Sequence, residues 1–193
     1  MHRLKSLITV ITLTSFGLLA ACSGGISAEL EAVDVPALRT MAGQARIVVR
    51  NQMPDALIAQ ISVVPETGVV TVRLVNSDST IGADIVIPSP ITPIGDWEIL
   101  LGEYTPFSGI PHSGLDMQAV NSAPADVARA ALNQWSGCKL RTLTLAEDDG
   151  IAQWWFVFCD IKEGTVSGWM NAQNGEFFAS PAPPAFAPPT ATP

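Results

Sequence analysis

The sequence predicts an α+β protein made of two αβββ units, each an antiparallel sheet packed by one helix, joined by an irregular linker. Three observations carry that expectation. An amphipathic helical stripe followed by runs of alternating apolar residues occurs twice in the same order. Turn signals rich in Pro, Gly, Asn and Asp separate the runs. Finally, the chain beyond its leader has the length of one compact domain or two small ones.

Residues 1–21 read as a lipoprotein signal peptide: Arg3 and Lys5 at the start, an apolar run from Leu7 to Ala20, and small residues before a cysteine. The run is shorter than the roughly 20 residues a helix needs to cross a bilayer. Leu19-Ala20-Ala21-Cys22 resembles the lipobox of bacterial lipoproteins. That resemblance implies cleavage before Cys22, a diacylglyceryl group on its sulfur and often acylation of the new amine. Each buried CH2 contributes about 0.8 kcal/mol, so two or three chains hold a protein at a membrane surface where one is marginal. Ser23 in place of aspartate implies the outer membrane in a two-membrane organism, and the outer face of the cell otherwise. Residues 22–33 form the lipidated cysteine and tether.

The first unit is expected over 34–88. Asp34 and Pro36 mark a helix start, Leu38, Met41, Ala42, Ala45, Val48 and Val49 follow at helical spacing, and Pro54 closes the pattern. Ile58 to Val64, Val69 to Val75 and Ala83 to Ile87 read as strands, with Pro65-Glu66-Thr67-Gly68 as the first turn. An irregular linker over 89–123 holds Trp97, Ile99, Leu100, Leu101, Tyr104 and Phe107 and is expected to pack on the core.

The second unit, 124–178, repeats the order. Pro124 opens a helix with a stripe of Val127, Ala128, Ala131, Leu132 and Trp135. Lys139 to Ala146 and Ile151 to Cys159 form a hairpin, and Thr165 to Met170 is a further strand before Asn174-Gly175. At a constant offset Asn51-Gln52 falls on Asn133-Gln134, Gly68 on Gly150, and Ile58, Ile61 and Val63 on Leu140, Leu143 and Leu145. In both copies the first two apolar positions of the leading strand break strict alternation, which predicts a bulge at the same place. Duplication and chance likeness of two generic units both account for these matches. From 179 to 193 the Pro, Ala and Thr composition predicts a disordered tail.

Function classes narrow by charge and by missing residues. Loss of Arg3 and Lys5 leaves 8 basic against 18 acidic residues, a formal charge of −10, which repels nucleic acid. His112, Ser113 and Asp116 are too close in sequence to face one another as a triad, no histidine or cysteine set has metal spacing, and no phosphate-binding glycine loop occurs. Glu147, Asp148 and Asp149 read as a solvated acidic turn. No catalytic residue, metal or cofactor is therefore expected.

Two readings of the remaining cysteines stand: a disulfide between Cys138 and Cys159, favoured in an oxidising compartment, or two buried thiols. A hairpin centred on Asp148 and Asp149 sets the two cysteines directly opposite; a type I′ turn at Asp149-Gly150 shifts the register and requires a bulge. Trp154 and Trp155 must point to opposite faces of their strand. Trp154, Trp155 and Trp169 are thus candidate ligand contacts, against the alternative that all pack inside.

Trp154-Trp155-Phe156-Val157-Phe158 and the stretch from Gly164 through Asn171-Ala172-Gln173-Asn174-Gly175-Glu176 resemble the bacterial PepSY domains. The closing turn there is of the type Asp-Ala-x-Thr-Gly-Glu; this chain has Asn171 for the aspartate. The resemblance implies a cystatin-like fold and a protein-binding or peptidase-modulating role, with no catalytic residues to carry over. The expected function is a membrane-anchored, non-enzymatic module that binds an envelope protein or peptide, with a glycan-binding module or an envelope hydrolase as the alternatives. Its membrane partner is lipid, through the acyl chains on Cys22.

Overall fold

A computed structural model describes residues 26–78, 80–103, 114–134, 139–160 and 164–180. Cys22, Trp135, Cys138, His112 and Ser113 lie outside the described residues, as do the leader and most of the segment expected as a tail.

Helix α1 is a single turn, Ala28–Glu31, capped by the Ser27 hydroxyl accepting from Leu30 N. Helix α2, Val35–Val49, begins where expected: the Asp34 carboxylate accepts from Ala37 N at 2.7 Å, and Pro36 occupies a position whose N–H has no helical partner. Its stripe of Leu38, Met41, Ala42, Ala45 and Val49 is buried. Strands β1 (Leu57–Val63), β2 (Val70–Val75), β3 (Ile81–Ile87) and β4 (Glu98–Glu103) follow as an antiparallel meander. Helix α3, Pro124–Gln134, then leads into β5 (Lys139–Asp148), β6 (Ile151–Asp160), β7 (Gly164–Asn171) and β8 (Phe177–Ser180).

The expectation of two separate αβββ sheets is corrected by the strand order, β4-β3-β2-β1-β5-β6-β7-β8 in one antiparallel sheet. Each half is also one strand longer than expected, through β4 inside the 89–123 segment and β8 running to Ser180. The physical reason lies in β1 and β5. Each is the first strand of its meander and would leave a row of backbone N–H and C=O groups unpaired at an edge. Pairing them, Gln60 with Ala146 through Val63 with Leu143, removes both edges and makes the apolar faces continuous.

That join has the form of a two-fold axis. Ser62 faces Thr144, its own counterpart, with the hydroxyls 3.4 Å apart, while Ile61 faces Leu145 and Val63 faces Leu143. Ile61 thus meets the counterpart of Val63, and Val63 meets the counterpart of Ile61, as in an isologous interface between two copies. The bulges also coincide: the register shifts between Ile58 and Gln60 in β1 and between Leu140 and Thr142 in β5.

Helices α2 and α3 lie on one face of this sheet. Their buried stripes, with Val127, Ala128 and Ala131 from α3, join Ile61, Val72, Leu74, Ile85, Leu143, Leu145, Trp154 and Phe156 in a single core. The Trp154 indole N–H donates to Ser122 O at 2.9 Å, so its polar edge is satisfied at full burial. Arg39 of α2 holds the connecting segment, donating to the carbonyls of Met117, Gln118 and Val120. Among the described residues, no helix is long and apolar enough to cross a membrane.

Candidate functional site

Among the described residues, the other face of the sheet carries no helix, and its side chains differ between the two halves. One row of cross-strand partners runs through the axis: Glu98, Val86, Thr71 and Ser62 on one side, Thr144, Trp155, Trp169 and Phe178 on the other. Trp155 thus holds in β6 the place of Thr71 in β2, and Trp169 holds the place of Val86. Beside that row the first half has Arg73 and Asp84, joined by two hydrogen bonds of 2.7 Å; the second half has Val157 and Ser167.

The result is an aromatic platform on the open face of the second half. The rings of Trp169 and Phe178 are stacked with centroids 5.9 Å apart and planes 25° from parallel. Trp155 and Trp169 are half-buried, and Phe178 on the last strand is 54% exposed. Alongside stand the hydroxyls of Ser62 and Thr144 and the amide of Gln60, which donates to Ser62 at 2.8 Å. Gln153 shares the face of β6 with Trp155, and its buried Oε1 has no hydrogen-bond partner among the described residues.

The local sequence explains how the platform is held. Gly168 precedes Trp169 in β7 and faces the core: a Cβ there would lie 2.2 Å from Phe178 O and 2.7 Å from the Phe156 ring. Its missing side chain lets Phe156 stack on Phe177 at 5.1 Å and lets β8 close on β7, which brings Phe178 beside Trp169. The turn after β7 closes as Asn171 Oδ1 accepts from Gln173 N and Asn174 N, the role an aspartate would take, and Gly175 adopts φ of 77°.

Of the three tryptophans expected as ligand contacts, Trp155 and Trp169 come together on the open face, and Trp154 belongs to the core with 0% exposure. Phe178 was not anticipated, because β8 falls at the start of the segment whose composition points to disorder. The hairpin turn is Asp149-Gly150, both with positive φ (49° and 79°), which corrects the turn centred on Asp148 and Asp149. The register shift this causes is partly undone by the bulge after Leu140, so Cys159 pairs with Lys139. That is one residue short of the alignment expected for Cys138.

Among the described residues, no group of three or more His, Cys, Asp or Glu is placed to hold a metal ion. Asp116 is an exposed turn residue accepting from Gln118 N. Asp55, just before β1, and Asp78, in the turn after β2, are held below the usual carboxylate range, by the Ser77 hydroxyl and by the Thr80 hydroxyl respectively.

No protein-family model matches the chain, and no curated protein matches it. The PepSY likeness therefore rests on its quoted residues alone. Among solved structures, the chain is similar to a crystal structure from Clostridium difficile 630 described as a "putative lipoprotein". The TM-score is 0.51 at 15% identity, over 72% of this chain and 90% of that one. At that identity the likeness is one of fold.

Proposed function

We propose that this protein is a lipoprotein anchored on the extracytoplasmic side of a bacterial membrane through acyl chains on Cys22, where it binds an envelope protein or peptide and performs no chemistry of its own. Ser23 places it in the outer membrane of a two-membrane organism. Support for the anchor comes from the lipobox and from the description of the fold neighbour. The observation that carries the binding role is the open face: the position of a threonine in one half is a tryptophan in the other, and the same holds for valine at the next strand. Indole offers large contact area at small entropic cost, and half-exposed aromatics on a rigid sheet are the residue type that anchors partners.

Crosslinking in cells, read by mass spectrometry, tests this in the wild type, in Cys22→Ala and in a Trp155→Ala/Trp169→Ala pair. One envelope protein captured by the wild type and lost in the tryptophan pair is the expected result. Capture unchanged by that pair would remove the platform from the function. The stacked Trp169 and Phe178 beside hydroxyl and amide groups also suit a sugar ring, so a glycan ligand is the second reading. Tryptophan fluorescence quenched by wall oligosaccharides, and unquenched in Trp169→Ala, would favour it over the protein partner.

A further inference from the structure

The strand at the far end of the sheet from the platform is built unlike any other. All six residues of β4 are exposed, including Ile99, Leu100 and Leu101 at 44%, 51% and 52%. It pairs with β3 without a bulge from Val86–Glu98 to Ile81–Glu103, and among the described residues no strand pairs with its outer side. A flat apolar edge normally carries a lysine, a proline or a bulge that blocks further pairing. Here the interior of the strand has none, and the only charges are Glu98 and Glu103 at its two ends. The edge on the opposite side of the sheet is shorter, with β8 spanning Phe177–Ser180 and Phe177 packed on the core.

We propose that β4 receives an extended segment of another polypeptide, apolar in the middle and cationic at both ends, which adds to the sheet as a further strand. This rests on the reading of the chain as a protein- or peptide-binding module and gives that module a second contact surface. The terminal glutamates select the occupant. A second copy of this chain pairing antiparallel and centred on β4 would set Glu98 against Glu103 at both ends, and like charges directly opposite destabilise a strand pair. The −10 charge of the mature chain adds to that repulsion. A segment with lysine or arginine at each end instead meets a carboxylate at both, in either strand direction, while main-chain hydrogen bonds and the Ile99, Leu100 and Leu101 side chains supply affinity.

The test uses the mature lipidated chain in neutral detergent with two labelled hexapeptides, Lys-Val-Val-Ile-Thr-Lys and the same centre with glutamate ends, read by fluorescence anisotropy. The lysine-ended peptide is expected to bind about 10-fold more tightly, as two partly exposed ion pairs predict. A Glu98→Lys/Glu103→Lys variant, altered only at exposed side chains, is expected to reverse the order. Equal binding of the two peptides, no binding of either, or a preference unchanged by the charge reversal would overturn the inference. Should β4 fail while crosslinking still depends on the tryptophan pair, the binding module stands without its edge site; loss of both results would end both readings.

Discussion

The two halves of the sheet share helix placement, strand order and even the position of a bulge, yet their open faces have opposite chemistry. In the first half Arg73 and Asp84 neutralise one another between threonine and valine, which is how a solvated sheet face is ordinarily finished. In the second, Val157, Ser167, Trp155 and Trp169 occupy the same places. Strand order and helix placement are common to both, so the difference is one of side chains rather than of backbone arrangement. It lies in the side chains on which the proposed binding role rests.

The sharpest way to break this comparison is to mutate across one strand. Trp154→Ala empties the core and is expected to cost about 3–5 kcal/mol in urea unfolding, whereas Trp155→Ala, on the opposite face of the same strand, should cost less than half as much while abolishing partner capture. Equal losses would mean that the platform is structural. Next in size is the choice the sequence leaves open between a Cys138–Cys159 disulfide and two buried thiols, and we propose the disulfide although Cys159 pairs with Lys139. Reduction should destabilise the chain by about 3 kcal/mol, and free thiols at both positions in a non-reduced digest would refute it. Gly168→Ala should follow at about 1–3 kcal/mol, since the added methyl meets β8 backbone and the Phe156 ring. Trp169 and Phe178 should separate in that variant, so a drop in partner capture beyond the loss of stability would tie the glycine to the platform.

Smaller effects test the first half. A double-mutant cycle on Arg73 and Asp84, both roughly one-third exposed, should give a coupling of about 0.2–1 kcal/mol with no change in partner capture. A loss of capture there would extend the site across the axis. The smallest effect concerns acid. Glu66, in the turn between β1 and β2, is held below the usual carboxylate range by hydrogen bonding to Lys139 of β5 and by its charge, and so links the two halves. A carboxylate lowered in the folded state lends stability that is fully present above its ordinary range and is lost as pH falls through its folded value. Thermal midpoints should therefore drop slightly more with acid in the wild type than in Glu66→Gln. Both groups are exposed, so added salt should shrink the difference.

Helix starts, turn residues and the paired bulges were legible because each is local. Asp34 with Pro36 caps a helix in any context, and the broken alternation at Ile58 and Leu140 appears as a bulge in both strands. Strand β8 was missed because Phe177 and Phe178 border a Pro- and Ala-rich stretch, and β4 because Ile99-Leu100-Leu101 runs without alternation between proline-rich segments. The alternation rule reads strands with one buried face, and β4 has none. As for the site, the pair Trp154-Trp155 announced that one indole faces each way, but which one faces outward follows from the register with Thr144 and Leu145.

By itself, then, the sequence determined an acidic chain, two helices with buried stripes, and most of the strands. Each of these depends on periodicity, capping or composition within a few residues. Tertiary structure alone decided that the strands form one sheet, that Ser62 and Thr144 mark its axis, and that Trp155, Trp169 and Phe178 meet on a single open face. Strand pairing is a contact between distant segments, chosen because joining β1 to β5 leaves fewer unpaired backbone groups than two separate sheets would.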